Sequence, residues 1–582
     1  MKTHIRKYVI EKTQSTVRER FAHLEALGLR LTLDVYSDQN IAELLTQHPS
    51  RMAFGIFTYI FADGHGAIRR GRNEMGYVIN EELAQGFFEL VGGQPRCSII
   101  HDAFTYRIKG IPLGDYFEGF VKLYLSRIRG DLLLANYPEI VLYEQNPSLK
   151  FLVELFGSEK GSDYYHCYKE FFQGIRLLEK SVIAEFRKKL EPEFLLYINK
   201  ERQQTQRLKE LDLAGAIAAI QRHLEHLRTV SCVTFVKVAR LGFFAYARLK
   251  RELEQKFGAE EGRQLLDKVT SGLEDAPSLR FNMALAKLRD GVIQTTNVLN
   301  EFGHLGPNEL EIATPRYHET PDLMKQYADR IVGRHEEEFS ESRTESRRTQ
   351  GHILACFSPH ERGDLLKDIK TARLYLAMRE KQKYYFLMEY DLIRQLLLRT
   401  ERLLKLEEGD IFLLDPRELK GLPENTKKTL ETIEERRGTE TSLRQLEVPP
   451  VFFTDQLDRI KGLAIGKGAQ ELQGIGVTSE VATGKAVIVL DPSDKEAIQR
   501  IRQGSILVAP TTDPTWAPLM ASIGKKGGLV TEVGGPLAHG AIVARELGIA
   551  AVLNVANATK IIKEGNLVTV DGKGGKVYIL GE

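Results

Sequence analysis

The chain has 582 residues, 42% of them hydrophobic and 27% charged, the balance of a folded protein rather than a disordered or fibrous one. Lys and Arg total 81 against 79 Asp and Glu, a formal charge of +2, so no bulk basic field recruits nucleic acid or an anionic membrane surface. A chain of this length divides into roughly four units at about 150 residues each, fewer where long helical domains occur.

The N-terminus, MKTHIRKYVIEKTQSTVRERF, mixes Glu11 and Glu19 with its bases and has no long apolar stretch, which argues against a signal peptide. No run of eighteen apolar residues occurs, so no membrane-spanning helix and no membrane partner is expected. Arg69, Arg70, Arg72 and Asn73 admit two readings, an anion contact or a surface loop. The segment 96–108, RCSIIHDAFTYRI, suits strand or helix. Cys97, Cys167, Cys232 and Cys356 form no Cys-x-x-Cys pair. That spacing disfavours a disulfide framework or a zinc site and fits ordinary thiols in a reducing cytoplasm. No metal site is expected.

Apolar residues recur at three- and four-residue spacing through 170–257 and again through 364–406, which predicts helices with one buried face. Residues 1–440 are therefore read as a large, mainly α-helical domain. Within it, 334–349 (RHEEEFSESRTESRRT) reads as a solvated loop or exposed helix. Residues 441–470 include Pro449-Pro450 and read as a linker. From 471 to 582 the texture changes. GVTSEVATGKAVIVL, GSILVAP, GGLVTEV, IAAVLNV, GNLVTVD and GKVYIL are short, rich in Val and Ile and bounded by Gly, which are strand signals. Helical stretches lie between several of them. The fold class is thus multidomain: a large helical unit followed by a small α/β unit on a tether.

The strongest chemical signal is TEVGGPLAHGAIVARELGIAAV, from Thr531 to Val552. Gly534-Gly535-Pro536 makes a turn that lets backbone approach a ligand. His539 follows at the start of a helix expected over 540–547. Free amides and the positive end of the helix dipole favour an anion there. An imidazole in that place is a competent nucleophile toward phosphorus. The same pattern also fits a capping histidine in an ordinary strand–turn–helix. Arg545 reads either as a structural cation or as a phosphate contact, and Trp516 as core.

This segment resembles the phosphohistidine motif of the phosphoenolpyruvate-utilising enzymes, a group that includes phosphoenolpyruvate synthase, pyruvate phosphate dikinase, enzyme I of the sugar phosphotransferase system and rifampicin phosphotransferase. Gly534, Gly535, His539, Ala544, Arg545, Gly548, Ala551 and Val552 match; Ala538 departs, since many members place Thr or Ser there. The resemblance implies that His539 is phosphorylated and that 471–582 swivels between two distant sites.

Two helical-region segments resemble rifampicin phosphotransferases. One is NEFGHLGPNELEIATPRYHETPDLM, with Gly303, His304, Gly306, Pro307, Glu309, Pro315 and Arg316. His304 and Glu309 are candidates to move a proton from an acceptor hydroxyl; a purely structural turn is the other reading. The second contains Arg379 and Lys383, at i and i+4 on one helix face. They suit a cationic clamp on a transferring phosphoryl group, or a solvated charged face shared with Arg373, Glu380 and Lys381.

No ATP-binding region is recognised before this helical part, and no barrel after the last strand. The arrangement resembles phenylphosphate synthase, which implies a phosphotransferase working with a separate ATP-grasp-type ATP-binding subunit that holds ATP and Mg²⁺. By the same resemblance the β-phosphate is transferred, AMP and inorganic phosphate are released, and the acceptor is a small hydroxyl compound, phenol among the candidates. Another small alcohol or an antibiotic as acceptor, or a non-catalytic phosphohistidine relay, are the alternatives.

Overall fold

The computed structural model describes residues 2–29, 31, 33–37, 45, 48–62, 66–80, 88–99, 106–120, 147–203, 210–273, 276–331, 335–422, 426–443, 446, 448–449, 451–460, 471–536 and 538–581. The helical unit is built on long helices: Ser158–Glu185, Glu191–Gln203, Leu213–His226, Cys232–Phe257 and Pro359–Leu404. π-Helical turns at Phe186–Leu190 and Leu227–Ser231 interrupt the first four. The run Leu213–Phe257 is long and apolar enough to cross a membrane by length and composition, and 56% of its most apolar window is buried inside the protein.

The 46-residue helix Pro359–Leu404 is the spine, about 69 Å long at 1.5 Å per residue. Its start is fixed by Pro359 in the first turn and a Ser358–Glu361 capping box, and Lys405 ends it in the left-handed conformation. Neighbours cover it on most sides, so Asp368, Glu380, Gln382, Glu389, Asp391 and Arg394 are all buried. Each therefore needs a partner.

Several open readings resolve here. Residues 335–349 belong to the helix His335–Ala355. Arg69, Arg70, Arg72 and Asn73 lie on the helix Ala67–Glu74, not in a loop, and Arg72 is buried with its guanidinium 4.1 Å from the Tyr106 ring. In 96–108, strands Gln94–Ser98 and Tyr106–Ile108 are described, while 100–105 lie outside the described residues. Part of the expected linker is folded. The helix Thr426–Leu443 enters it, and strand Val451–Phe453 pairs antiparallel with Val35–Ser37 in a four-stranded sheet. Phe452 stacks on Tyr36 at 5.3 Å, and burying those rings holds the strand in place. Residues 461–470 lie outside the described residues.

The α/β unit carries an eight-stranded sheet, ordered 471–473, 576–581, 567–571, 481–488, 506–509, 528–531, 550–553, 475–476. The four central strands pair in parallel. The runs at 506–509, 528–531 and 550–553 are buried on both faces, as a covered parallel sheet requires, while 481–488 beside them is partly exposed. Trp516 is 1% exposed and packs as core.

The two units are docked. The Tyr327 hydroxyl donates to the Pro492 carbonyl, and Arg330 Nη1 to the Ile498 carbonyl at 2.9 Å. Glu546 accepts from the amides of Gly272 (3.0 Å) and Leu273 (3.2 Å).

Candidate active site

The glycine turn has the conformation its sequence demands. Gly534 sits at φ 131°, where a side chain is strained. Gly535 and Pro536 follow, and the helix His539–Leu547 starts one residue earlier than expected, with Ala538 as an extended N-cap that makes no side-chain cap bond. Gly540 allows close approach: a Cβ there would lie 2.3 Å from Thr512 Oγ1.

His539 is only 6% exposed. The helical unit covers it, and what meets it is a charged group. Nδ1 lies 3.1 Å from Glu380 Oε2, and Nε2 is buried without a hydrogen-bond partner among the described residues. Burial works against the Glu380 charge, yet His539, Lys383 and Arg379 outweigh it and hold its pKa down at about 2. An ionised Glu380 draws the ring proton to Nδ1, which leaves the Nε2 lone pair free for chemistry.

Lys383 points into the same region, Nζ 2.9 Å from Glu309 Oε2. Burial lowers its pKa, but Glu309, Asp513 and Glu380 raise it above the ordinary value, so it stays an ammonium. Glu309 is 1% exposed; burial outweighs the nearby lysine and pushes its carboxyl up to about 8. Two groups hold its backbone: Asp513 Oδ2 accepts its amide at 3.0 Å from the α/β unit, and Arg316 Nη1 donates to its carbonyl at 2.9 Å. Gly306 is required by this packing, since a Cβ there would lie 2.7 Å from the Pro315 carbonyl.

The Arg379 guanidinium lies 5.7 Å from the Phe243 ring, and its charge is felt at Glu380. His304 is buried with both ring nitrogens unpartnered among the described residues, edge-on to Tyr384 at 4.7 Å. Burial, then Arg202 and Arg316, lower its pKa well below 6.5, so it is neutral and resists protonation. Arg545 takes the structural role. It donates to the carbonyls of Val477 (3.0 Å) and Pro536 (2.7 Å) and pairs with Asp267 at 2.9 Å. It therefore locks the glycine turn and bridges the units.

The structure thus gathers His539, Lys383 and Glu309, with His304 against Tyr384 beside Lys383. It adds two residues that sequence reasoning missed, Glu380 and Asp513. Glu380 sits one turn before Lys383, and that spacing was the available signal. One trio with ligand atoms within 4.8 Å of one another, His318, Glu319 and Asp391, occurs among the described residues. Arg394 holds Glu319 at 2.8 and 2.9 Å, and Asp391 holds His318 at 2.9 Å, so it is a satisfied ion network.

Residues 501–575 match the family described as PEP-utilising enzyme, mobile domain. The rifampicin phosphotransferase of Bacillus cereus is 30% identical over 310 residues, 50% of this chain and 35% of that protein. A probable phosphoenolpyruvate synthase of Staphylothermus marinus is 43% identical over 122 residues, 20% of this chain and 14% of that protein. The prodigiosin synthesizing transferase PigC of Serratia marcescens is 27% identical over 295 residues, 48% of this chain and 32% of that protein. The chain spans about a third of the length of the first of these relatives. The match thus falls within the α/β unit and includes His539 and its glycine turn.

Proposed function

We propose that this chain, with its PEP-utilising mobile domain, is a phosphotransferase subunit. His539 receives a phosphoryl group from a separate ATP-binding partner and passes it to a hydroxyl acceptor held by the helical unit. The carrying observation is the His539–Glu380 contact at 3.1 Å, with Nε2 unpartnered. It is the acceptor-side station of a mobile domain: the histidine faces the cations of the helical unit, and loading requires undocking. ATP with Mg²⁺ is assigned to the partner. A hydroxyaromatic acceptor of the phenol type is the favoured substrate, and the four free cysteines suit a reducing cytoplasm.

In the transfer step the N–P bond at Nε2 breaks as the acceptor oxygen forms its P–O bond. Glu380 keeps the Nδ1 proton in place, so the ring leaves as neutral imidazole. Lys383, with Arg379 behind it, offsets charge on the moving phosphoryl oxygens. The hydroxyl proton passes to an oxygen of the transferred phosphoryl group, which balances the step.

The test is to incubate the chain with β-labelled ATP and a candidate ATP-binding subunit. Acid-labile label is expected on wild type and at background on His539→Ala. Equal label on both would remove the reading. Discharge is then followed on adding phenol and other hydroxyl compounds. Label that forms but passes to none of them favours the relay alternative.

A further inference from the structure

A second imidazole–carboxylate set lies further along the spine helix. His223 and His226 stand one turn apart and both aim Nδ1 at Glu389. The His223 distance is 3.0 Å, and the His226 distances are 3.1 and 2.9 Å to the two oxygens. The Tyr197 hydroxyl donates to the same carboxylate at 3.1 Å, and its ring stacks on His226 at 3.9 Å. The Glu389 side chain is fully buried. Burial pushes its pKa up, but the bonds from His223 and His226 bring it below the ordinary value, so it is a carboxylate. With Nδ1–H committed to that anion, His226 presents Nε2 as an acceptor. Nε2 makes no hydrogen bond among the described residues, and the side chain is 20% exposed and lines a cavity.

That cavity has a volume of about 180 Å³. Both π turns contribute to its walls, Phe186 and Leu190 from one and Val230 and Ser231 from the other. A π turn inserts a residue that re-aims its neighbours and commonly marks a functional site. Phe194, Phe235, Tyr385 and Phe386 make the box aromatic. Two polar atoms on its lining are unmatched: Gln382 Oε1, on a residue 7% exposed, and Ser231 Oγ. A folded core does not leave buried acceptors unpaired without reason.

We propose that this cavity binds a single-ring hydroxyaromatic compound, its hydroxyl donating to His226 Nε2. Volume sets the size: a dry cavity of about 150 Å³ holds a benzene ring. The unmet polar groups set the chemistry, because a hydroxyl donates its one proton to His226 Nε2 and accepts from the Ser231 hydroxyl, and a methyl does neither. The inference goes beyond the proposed function: Glu389 lies nine residues past Glu380, about 13.5 Å along the helix and on its opposite face, so this cavity is a site apart from His539.

The test is calorimetry on the full chain, without ATP, using phenol and toluene as probes. Wild type is expected to bind phenol at least tenfold more tightly than toluene, since a site built around a hydroxyl rejects its apolar isostere. His226→Phe is expected to bind the two alike. Ser231→Leu, at a half-buried position in the second π turn, is expected to fill the cavity and abolish both, with circular dichroism checking the fold of each variant. Equal binding of phenol and toluene by wild type, or undiminished phenol binding by Ser231→Leu, would overturn the proposal.

Discussion

Glu380 and Glu389 lie on one helix, both buried, and both meet imidazole Nδ1 atoms at about hydrogen-bond distance: 3.1 Å to His539, and 3.0 and 2.9 Å to His223 and His226. Their chemistry is the same, but their partners differ in kind. His223 and His226 belong to the same helical unit, so that contact forms with the core and persists. His539 arrives on a separately built α/β unit, so in the proposed cycle that contact breaks as the unit swings away. A carboxylate–imidazole pair is therefore architecture in one place and a station in the other, and what decides is whether the partner is free to leave.

The largest expected effect tests that distinction directly. Glu389→Ala leaves two histidines and Tyr197 pointing at an empty buried position, and breaking such a set by removing one partner costs about 3–5 kcal/mol. Glu380→Ala should cost about 1 kcal/mol or less, because undocking exposes the site to water and caps the loss near the effect of a surface change. Urea unfolding of the two variants measures both. Equal losses would mean the seam is as permanent as the core.

Next in size is phosphoryl discharge. Lys383→Met should leave labelling of His539 intact and slow its discharge to acceptor about a hundredfold, the usual cost of one preorganised charge partner. Arg379→Ala should do the same more weakly, about tenfold, since its guanidinium rests against Phe243 and acts at a distance. Rapid-quench decay of acid-labile label gives both rates. A larger loss for Arg379→Ala would reverse the assignment of the leading cation.

These residues also show how far the sequence can be read. His539 is legible because its turn needs glycine at particular places: Gly534 at φ 131° and Gly540 against Thr512. The central strands 506–509, 528–531 and 550–553 are legible because strands covered on both faces of a parallel sheet demand near-continuous apolar runs. Glu380 is not legible as a site residue. In REKQK it looks like one charge on a solvated face, and its partner lies 159 positions away. Periodicity reports that a helix has a buried face, but not that a second unit covers the remainder. The folding of Val451–Phe453 into the N-terminal sheet escaped for the same reason, since its pairing partner is Val35–Ser37 at the far end of the chain.

The smallest expected effect is a pH dependence of docking, and its sign follows from two carboxyls at the seam. Glu380 is held at about 2 when docked. A lowered pKa contributes stability that is complete above the ordinary carboxyl value and is lost as pH falls through about 2. Glu546, buried and accepting the amides of Gly272 and Leu273 across the seam, is pushed up to about 7, with burial the leading cause. A raised carboxyl pKa contributes stability that is present below the ordinary value and is lost as pH rises through about 7. Docking should therefore be tightest near the ordinary carboxyl pKa and weaken on both sides. Trp516, the only tryptophan, is 1% exposed and lies three residues beyond Asp513, which reaches Glu309 across the seam. Its emission should shift to the red as the units part. Glu380→Gln should flatten the acid limb alone. Glu546→Gln should reduce the alkaline limb without removing it, because Glu309, at about 8, titrates on the same side. An unchanged alkaline limb in Glu546→Gln would mean that this carboxyl does not sense docking, and that the seam is held elsewhere than at the end of the histidine helix.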